Sequence, residues 1–344
     1  MDRAPEGPEL LKQSKDFDED DVRVRPGKRS RPRTRIRPKH TDATAGLVIA
    51  VDRGRYTCVT DDGELTAMRA RELGRKSVVV GDRVGLVGDV TGSAGSLARI
   101  VRIEERVSTL MRTADDDDPT ERVVVANADQ LVIVAALADP QPRTGFIDRC
   151  LVAAYHTGIT PLLCLTKGDL AGPEELLDYY SDLDLAWLVM QPGSSIDPLV
   201  DALDGKLSVL VGHSGVGKST LVNRLVPGTD RAVGVVSAIG KGRHTSTSAV
   251  ALPLVSGDGW IIDTPGIRSF GLAHVSAHSL LYGFDDLVDG TLDCPPNCEH
   301  DEHSPDCALT GWVAAGNADP RRLASYRRLL ASRAGEELSG PDRT

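Results

Sequence analysis

Gly212-His213-Ser214-Gly215-Val216-Gly217-Lys218-Ser219 fits the pattern G-x-x-x-x-G-K-[ST] at every fixed position. The flanks fit as well. Leu207 to Val211 is an apolar run suited to a buried strand, and Thr220 to Leu225 opens a helix-compatible stretch. Glycines let the backbone curl until successive amide N–H groups face the β- and γ-phosphates, with the start of a helix behind them. The candidate phosphate-binding residues are therefore Gly212, Ser214, Gly215, Val216, Gly217, Lys218, Ser219 and Thr220. Lys218 would place a point charge on the phosphates, and the Ser219 hydroxyl would ligate Mg²⁺. A glycine-rich turn matching by accident is the alternative, and a strand before with a helix after argues against it.

Outward from this loop, Asn127 to about Leu272 has α/β texture. Leu131–Leu137, Pro161–Thr166, Ala186–Met190 and Gly259–Asp263 read as strands, Phe146–His156 and about Pro173–Tyr180 as helices. Alternating elements imply a mainly parallel sheet with ligands at its carboxyl ends.

A phosphate loop does not choose the base. Thr166-Lys167-Gly168-Asp169, at the end of a predicted strand, resembles the N-K-x-D guanine motif of GTPases. Guanine offers two adjacent donors, N1–H and the 2-amino group, which one carboxylate, Asp169, can accept together. The aliphatic stem of Lys167 can cover the base. Thr166 stands where the motif has Asn, so an amide is lost and either base affinity or loop anchoring is expected to weaken. An ordinary strand-to-helix turn is the bland reading, which the phosphate loop makes less attractive.

Asp263-Thr264-Pro265-Gly266 supplies an Asp for the Mg²⁺ shell and a Gly266 amide that can face the γ-phosphate. Ile267 follows, where many GTPases hold a water-positioning Gln. Gly240 to Thr247 is a basic stretch in the place of a first switch. Thr245 is the candidate second Mg²⁺ hydroxyl, with Ser246 as rival. His244 is the candidate for the missing water-orienting group, against a histidine merely hydrogen-bonded in a loop. The guanine motif at 166–169 precedes the phosphate loop at 212–219, the reverse of the usual order. The same sheet is then expected with the chain cut elsewhere, a circular permutation.

Cys294, Cys298, His300 and Cys307 form C-x₃-C-x-H-x₆-C. Three thiolates and an imidazole suit a closed, structural zinc site, with His303 as rival ligand. Cys58, Cys150 and Cys164 stand apart, so reduced thiols in the cytoplasm are expected rather than a disulfide framework.

Gly46 to about Arg112 changes to short β-type runs with turns at Asp61-Asp62-Gly63 and Val80-Gly81-Asp82. Five such strands suggest a small barrel of the OB type. Ahead of it, net charge −10 hides an asymmetry: Arg23 to Lys39 carry nine Lys/Arg and no acid. We read residues 1–42 as a disordered basic tail able to lie along an RNA backbone. No apolar stretch approaches a membrane span, and no export signal is expected.

Together these motifs resemble the ribosome small-subunit-dependent GTPase A family of bacteria. The matching stretches include Ala126-Asn127-Ala128-Asp129-Gln130, Asp148-Arg149, the phosphate loop, Gly242 to Thr245, Asp263 to Gly266 and the zinc cluster. The resemblance implies GTP hydrolysis stimulated by the small ribosomal subunit during its late maturation. The expected organisation is tail 1–42, OB-type β-barrel 43–112, circularly permuted α/β GTPase domain 113–272, and mainly helical zinc domain 273–344. The expected cofactors are GTP/GDP, Mg²⁺ and one Zn²⁺. The expected partners are the small subunit and its rRNA, with no membrane and no DNA, for a cytoplasmic monomer. Rival readings are a non-enzymatic RNA-binding regulator and an ATP-using kinase. Lys218, Ser219, Asp263 and Gly266 speak against the first, Lys167 and Asp169 against the second.

Overall fold

Five short strands close on themselves: β1 (Thr44–Asp52), β2 (Arg55–Thr60), β3 (Gly63–Arg69), β4 (Arg83–Gly88) and β5 (Ala98–Ile103). Their order is β1-β2-β3-β5-β4, with β4 returning to β1 and β3–β5 the parallel pair. Burial alternates with the pleat. Tyr56 and Cys58 on β2, with Leu65 and Ala67 on β3, point into the barrel core beside Val48, Leu86 and Ile100. A register shift between Val48 and Ala50 kinks β1. That lets one strand serve the barrel and still pair Ala50 with Val250 of the neighbouring sheet.

This computed structural model describes residues 40–73, 77–115, 118–227, 249–255, 258–264, 270, 272 and 275–333. Outside them lie residues 1–39 of the expected tail, the switch stretch with His244, Thr245 and Ser246, and Pro265, Gly266 and Ile267.

A separate hairpin, β6 (Thr109–Asp115) and β7 (Asp118–Ala126), follows the barrel; the expected boundary at 112/113 falls inside β6. Asn127 locks this junction. Its Oδ1 accepts from Val107 N at 2.8 Å, and its Nδ2 donates to Gly81 O at 2.9 Å. Next to it Asp82, fully buried, accepts from Arg106 Nε (2.7 Å), Arg106 Nη2 (2.9 Å) and Val79 N (2.8 Å). A buried carboxylate survives there because a guanidinium fork and a backbone amide replace its water.

Next come β8 (Gln130–Ala136), α1 (Thr144–Thr157), β9 (Thr160–Thr166), α2 (Glu174–Tyr179), β10 (Ala186–Val189), α3 (Asp197–Leu203), β11 (Leu207–Val211), α4 (Lys218–Leu225), β12 (Val250–Pro253) and β13 (Trp260–Asp263). The order β10-β9-β8-β11-β13 is parallel throughout, and β12 joins β13 antiparallel. β8 and β11 are buried at every residue, as strands covered on both faces must be. Asp129 pins their amino ends: its Oδ2 accepts from Leu207 N at 2.8 Å, and its carbonyl accepts from Thr160 N at 3.1 Å. The carboxyl ends are left to build a site.

The C-terminal region is short helices, α5 (Ala277–Leu280), α6 (Asp285–Val288) and α7 (Ala308–Ala314), closed by α8 (Pro320–Arg333). Two arginines of α8 turn inward. Arg322 donates to Asp286 Oδ1 (2.7 Å) and Asp182 O (2.6 Å). Arg328 lies over the Tyr179 ring at 4.4 Å and faces Asp148 Oδ2 at 3.4 Å. Tyr155, Phe284 and Tyr326 stack edge to face, so one apolar core runs from α1 into α8. No helix of the described residues is long and apolar enough to cross a membrane.

Candidate functional site

Three carboxyl ends of the parallel sheet converge. β11 gives way to the phosphate loop, whose chain passes so close to β8 that a Cβ on Gly212 would lie 2.6 Å from Val134 O. Gly217, at φ +89°, turns the loop into α4 in a conformation that L side chains rarely adopt. Lys218 is the first residue of α4, and Ser214, Gly215, Ser219 and Thr220 are exposed around it. The dipole and amides of the α4 amino end suit an anion at this point. His213 leans on Phe146 of α1, ring centroids 4.4 Å apart.

Asp263, the last residue of β13, is ion-paired with Lys218 through its Oδ1. The buried Thr264 donates its hydroxyl to Leu210 O at 3.0 Å and so ties this turn to β11. From β9, Thr166 donates its hydroxyl to Val216 O, inside the phosphate loop, at 2.6 Å. The anchoring expected to weaken with the loss of Asn is thus made by a hydroxyl. Lys167 sits at φ +58° with its ammonium on Asp139 O. Leu170 N donates to Lys167 O at 2.9 Å, closing the turn that presents Asp169 to solvent.

Two supports carry no motif and escaped the sequence reading. Gly168 N donates to Met190 O at 3.1 Å, bringing the turn after β10 beside the guanine motif. Arg224 of α4 donates to Ser194 O in that same turn. Gln191-Pro192-Gly193-Ser194 is legible as a turn, yet nothing in its spelling says what it stands beside. Asp139 is equally silent in sequence.

The second constellation is remote in the chain. One ligand atom from each of Cys294, Cys298, His300 and Cys307 lies within 4.8 Å of all the others. His300 Nδ1 faces Cys294 Sγ at 3.5 Å and Cys307 Sγ at 3.7 Å. That span suits four donors around one tetrahedral ion. Burial, with His278 and Arg327 adding to it, holds His300 below the usual histidine range, a shift toward the neutral imidazole that metal ligation needs. Arg327 supports the cluster from α8, donating to His300 O at 3.3 Å and Thr310 Oγ1 at 3.0 Å. The rival ligand His303 is exposed and stands outside the cluster.

Residues 103–273 match the model of the RsgA GTPase family. A protein of Azotobacter vinelandii named small ribosomal subunit biogenesis GTPase RsgA is 41% identical over 300 residues, covering 83% of this chain and 85% of that one. A protein of the same name from Pseudomonas aeruginosa is 41% identical over 297 residues, with the same coverage. Among solved structures, YjeQ from Thermotoga maritima superposes with TM-score 0.63 at 25% identity, covering 86% of this chain and 99% of that one. YloQ, described as a circularly permuted GTPase, gives 0.62 at 22% identity, covering 88% and 99%.

Proposed function

The chain belongs to the RsgA GTPase family, whose members bind guanine nucleotide and hydrolyse GTP, and on that premise we propose that it acts on the small ribosomal subunit. Its turnover is stimulated by the subunit and times its release late in maturation. It works as a monomer in the cytoplasm and touches rRNA, with the arginines between 23 and 39 lying on phosphates.

The supporting observation is convergence. Thr166 at the end of β9 bonds to the phosphate loop, and Lys218 from the start of α4 pairs with Asp263 at the end of β13, all at carboxyl ends of one parallel sheet although they are scattered through the sequence. In this reading Asp169 accepts both guanine donors, and the stem of Lys167 covers the base. Amides of the phosphate loop from Gly212 to Ser219 surround the phosphates. Lys218 leaves Asp263 for the β- and γ-phosphates. Ser219, Thr245 and Asp263 would hold Mg²⁺, which supplies charge neutralisation between those phosphates. The amide of Gly266 would serve the γ-phosphate, and His244 would hold or deprotonate the attacking water in place of a Gln at position 267. Cys294, Cys298, His300 and Cys307 hold one structural Zn²⁺ that folds the C-terminal region.

Asp169→Asn tests the placement of the base. It turns one acceptor into a donor facing guanine's own donors. GDP affinity is expected to fall at least tenfold, while xanthosine diphosphate gains. Equal GDP affinity in both proteins would refute it.

A further inference from the structure

We propose that Ile49, a residue of the barrel, is a positioning residue for Asp263, so that the barrel helps to hold the carboxylate at the nucleotide site. The inference rests on the place given to Asp263 in the Mg²⁺ shell above and adds a residue from outside every nucleotide-binding motif.

A single row of paired residues crosses from the barrel into the parallel sheet. Ala50 of β1 stands opposite Val250 of β12, Val250 opposite Asp263 of β13, and Asp263 beside Leu210 of β11. β11 holds Asp263 from one side, where Thr264 donates to Leu210 O, and β12 is its neighbour on the other. β12 has four residues and lies between β13 and β1. Without β1 it would be an edge strand, with one side of its ladder unpaired. The far end of the β12–β13 pair has fastenings of its own: Trp260 N donates to Lys206 O at 2.8 Å, and Leu254 N donates to Gly259 O at 2.9 Å. Asp263 is at the opposite end, and there the outer support comes from the barrel.

Side chains repeat the pattern. Val48 is fully buried in the barrel core. The register shift between Val48 and Ala50 releases the residue between them from the barrel's alternation. Ile49, 6% exposed, belongs instead to the main core of the parallel sheet, together with the buried Ala251 and Ile262. Ala251 pairs with Ile262, and Ile262 immediately precedes Asp263. Alanine gives β12 a single methyl to bury here, so apolar bulk has to come from a neighbouring strand, and Ile49 is the side chain that β1 provides. In a close-packed core a void at Ile49 is felt by the strands beside it. A carboxylate that ligates Mg²⁺ must meet a near-octahedral geometry at a short, nearly fixed distance. Slack in its strand therefore appears as a weaker dependence of nucleotide binding on the metal.

The test measures the affinity of a fluorescent, non-hydrolysable GTP analogue with Mg²⁺ and with a chelator, and takes the ratio of the two. Ile49→Ala should lower that ratio about fivefold, an ordinary size for a residue that couples two parts of a fold, while affinity in chelator stays at wild type. Ile49→Val removes one methyl and should fall between wild type and alanine; it serves alone if alanine does not fold. Val48→Ala is the control, since it thins the barrel core and should leave the ratio unchanged. In a background of Asp263→Asn, Ile49→Ala should cause no further loss, because the group it positions is gone. A wild-type ratio in both Ile49 variants, an equal fall in Val48→Ala, or full additivity with Asp263→Asn would overturn the proposal. Wild-type affinity indifferent to Mg²⁺ would overturn the placement of Asp263 itself, and the inference with it.

Discussion

Lys218 Nζ is ion-paired with Asp263 Oδ1, joining the first residue of α4 to the last residue of β13. Both side chains keep some exposure, 16% and 31%, so the pair is worth on the order of 1 kcal/mol and yields readily to a polyphosphate. Asp263 has two tasks in this account: it holds Lys218 while no nucleotide is bound, and it joins the Mg²⁺ shell afterwards. Asp263→Asn should therefore uncouple GTP affinity from Mg²⁺ and slow hydrolysis at least tenfold. GDP binding measured with a chelator present should be unchanged or tighter. A variant whose GTP affinity depends on Mg²⁺ as steeply as wild type would remove Asp263 from that shell.

The cysteines divide into two chemical classes. Burial pushes the Cys58 and Cys164 thiols up to about 12 and Cys150 well above its ordinary value. Thiolate is the reactive form, so these three should resist alkylation at pH 8 in the folded protein. Adding a strong chelator should open Cys294, Cys298 and Cys307, and mass spectrometry should find three modified sites. The other three should react only in denaturant. Modification of the cluster at the same rate with and without chelator would argue against a metal there.

Arg328 and Asp148 link α8 to α1, with Tyr180 donating to Asp148 Oδ1 at 3.0 Å. Their side chains are 16% and 6% exposed, so removing one charge leaves the other poorly solvated. Arg328→Met should cost about 3 kcal/mol in urea unfolding, and adding Asp148→Asn should recover part of that loss. Strictly additive losses would show that the two residues do not act as a pair.

Much of this was legible in the sequence because the signals are local. The run 207–211 spelled a buried strand, the glycines at 212, 215 and 217 spelled the loop after it, and C-x₃-C-x-H-x₆-C named the cysteine cluster. The five barrel strands followed from alternation and turns. Other features depend on what folding brings near. Asp139 and Met190 support the guanine motif through backbone carbonyls, which any residue possesses. The inward contacts of the α8 arginines were not legible, because a single helix does not announce the aromatic rings and carboxylates it will meet. Thr166 looked like a loss because the motif was read for its amide, whereas the acceptor it needs lies fifty residues away.

GTP turnover tests the central claim most directly. Purified protein should release phosphate from GTP slowly by itself and much faster with small ribosomal subunits, since ordering a catalytic group can raise GTPase rates by up to about 10⁵-fold. ATP should not be turned over in either condition. Lys218→Ala, which removes the charge on the phosphates, should lose tight GTP binding and both rates while remaining folded. Subunit-independent turnover, equal use of ATP, or a Lys218→Ala protein as active as wild type would contradict the account.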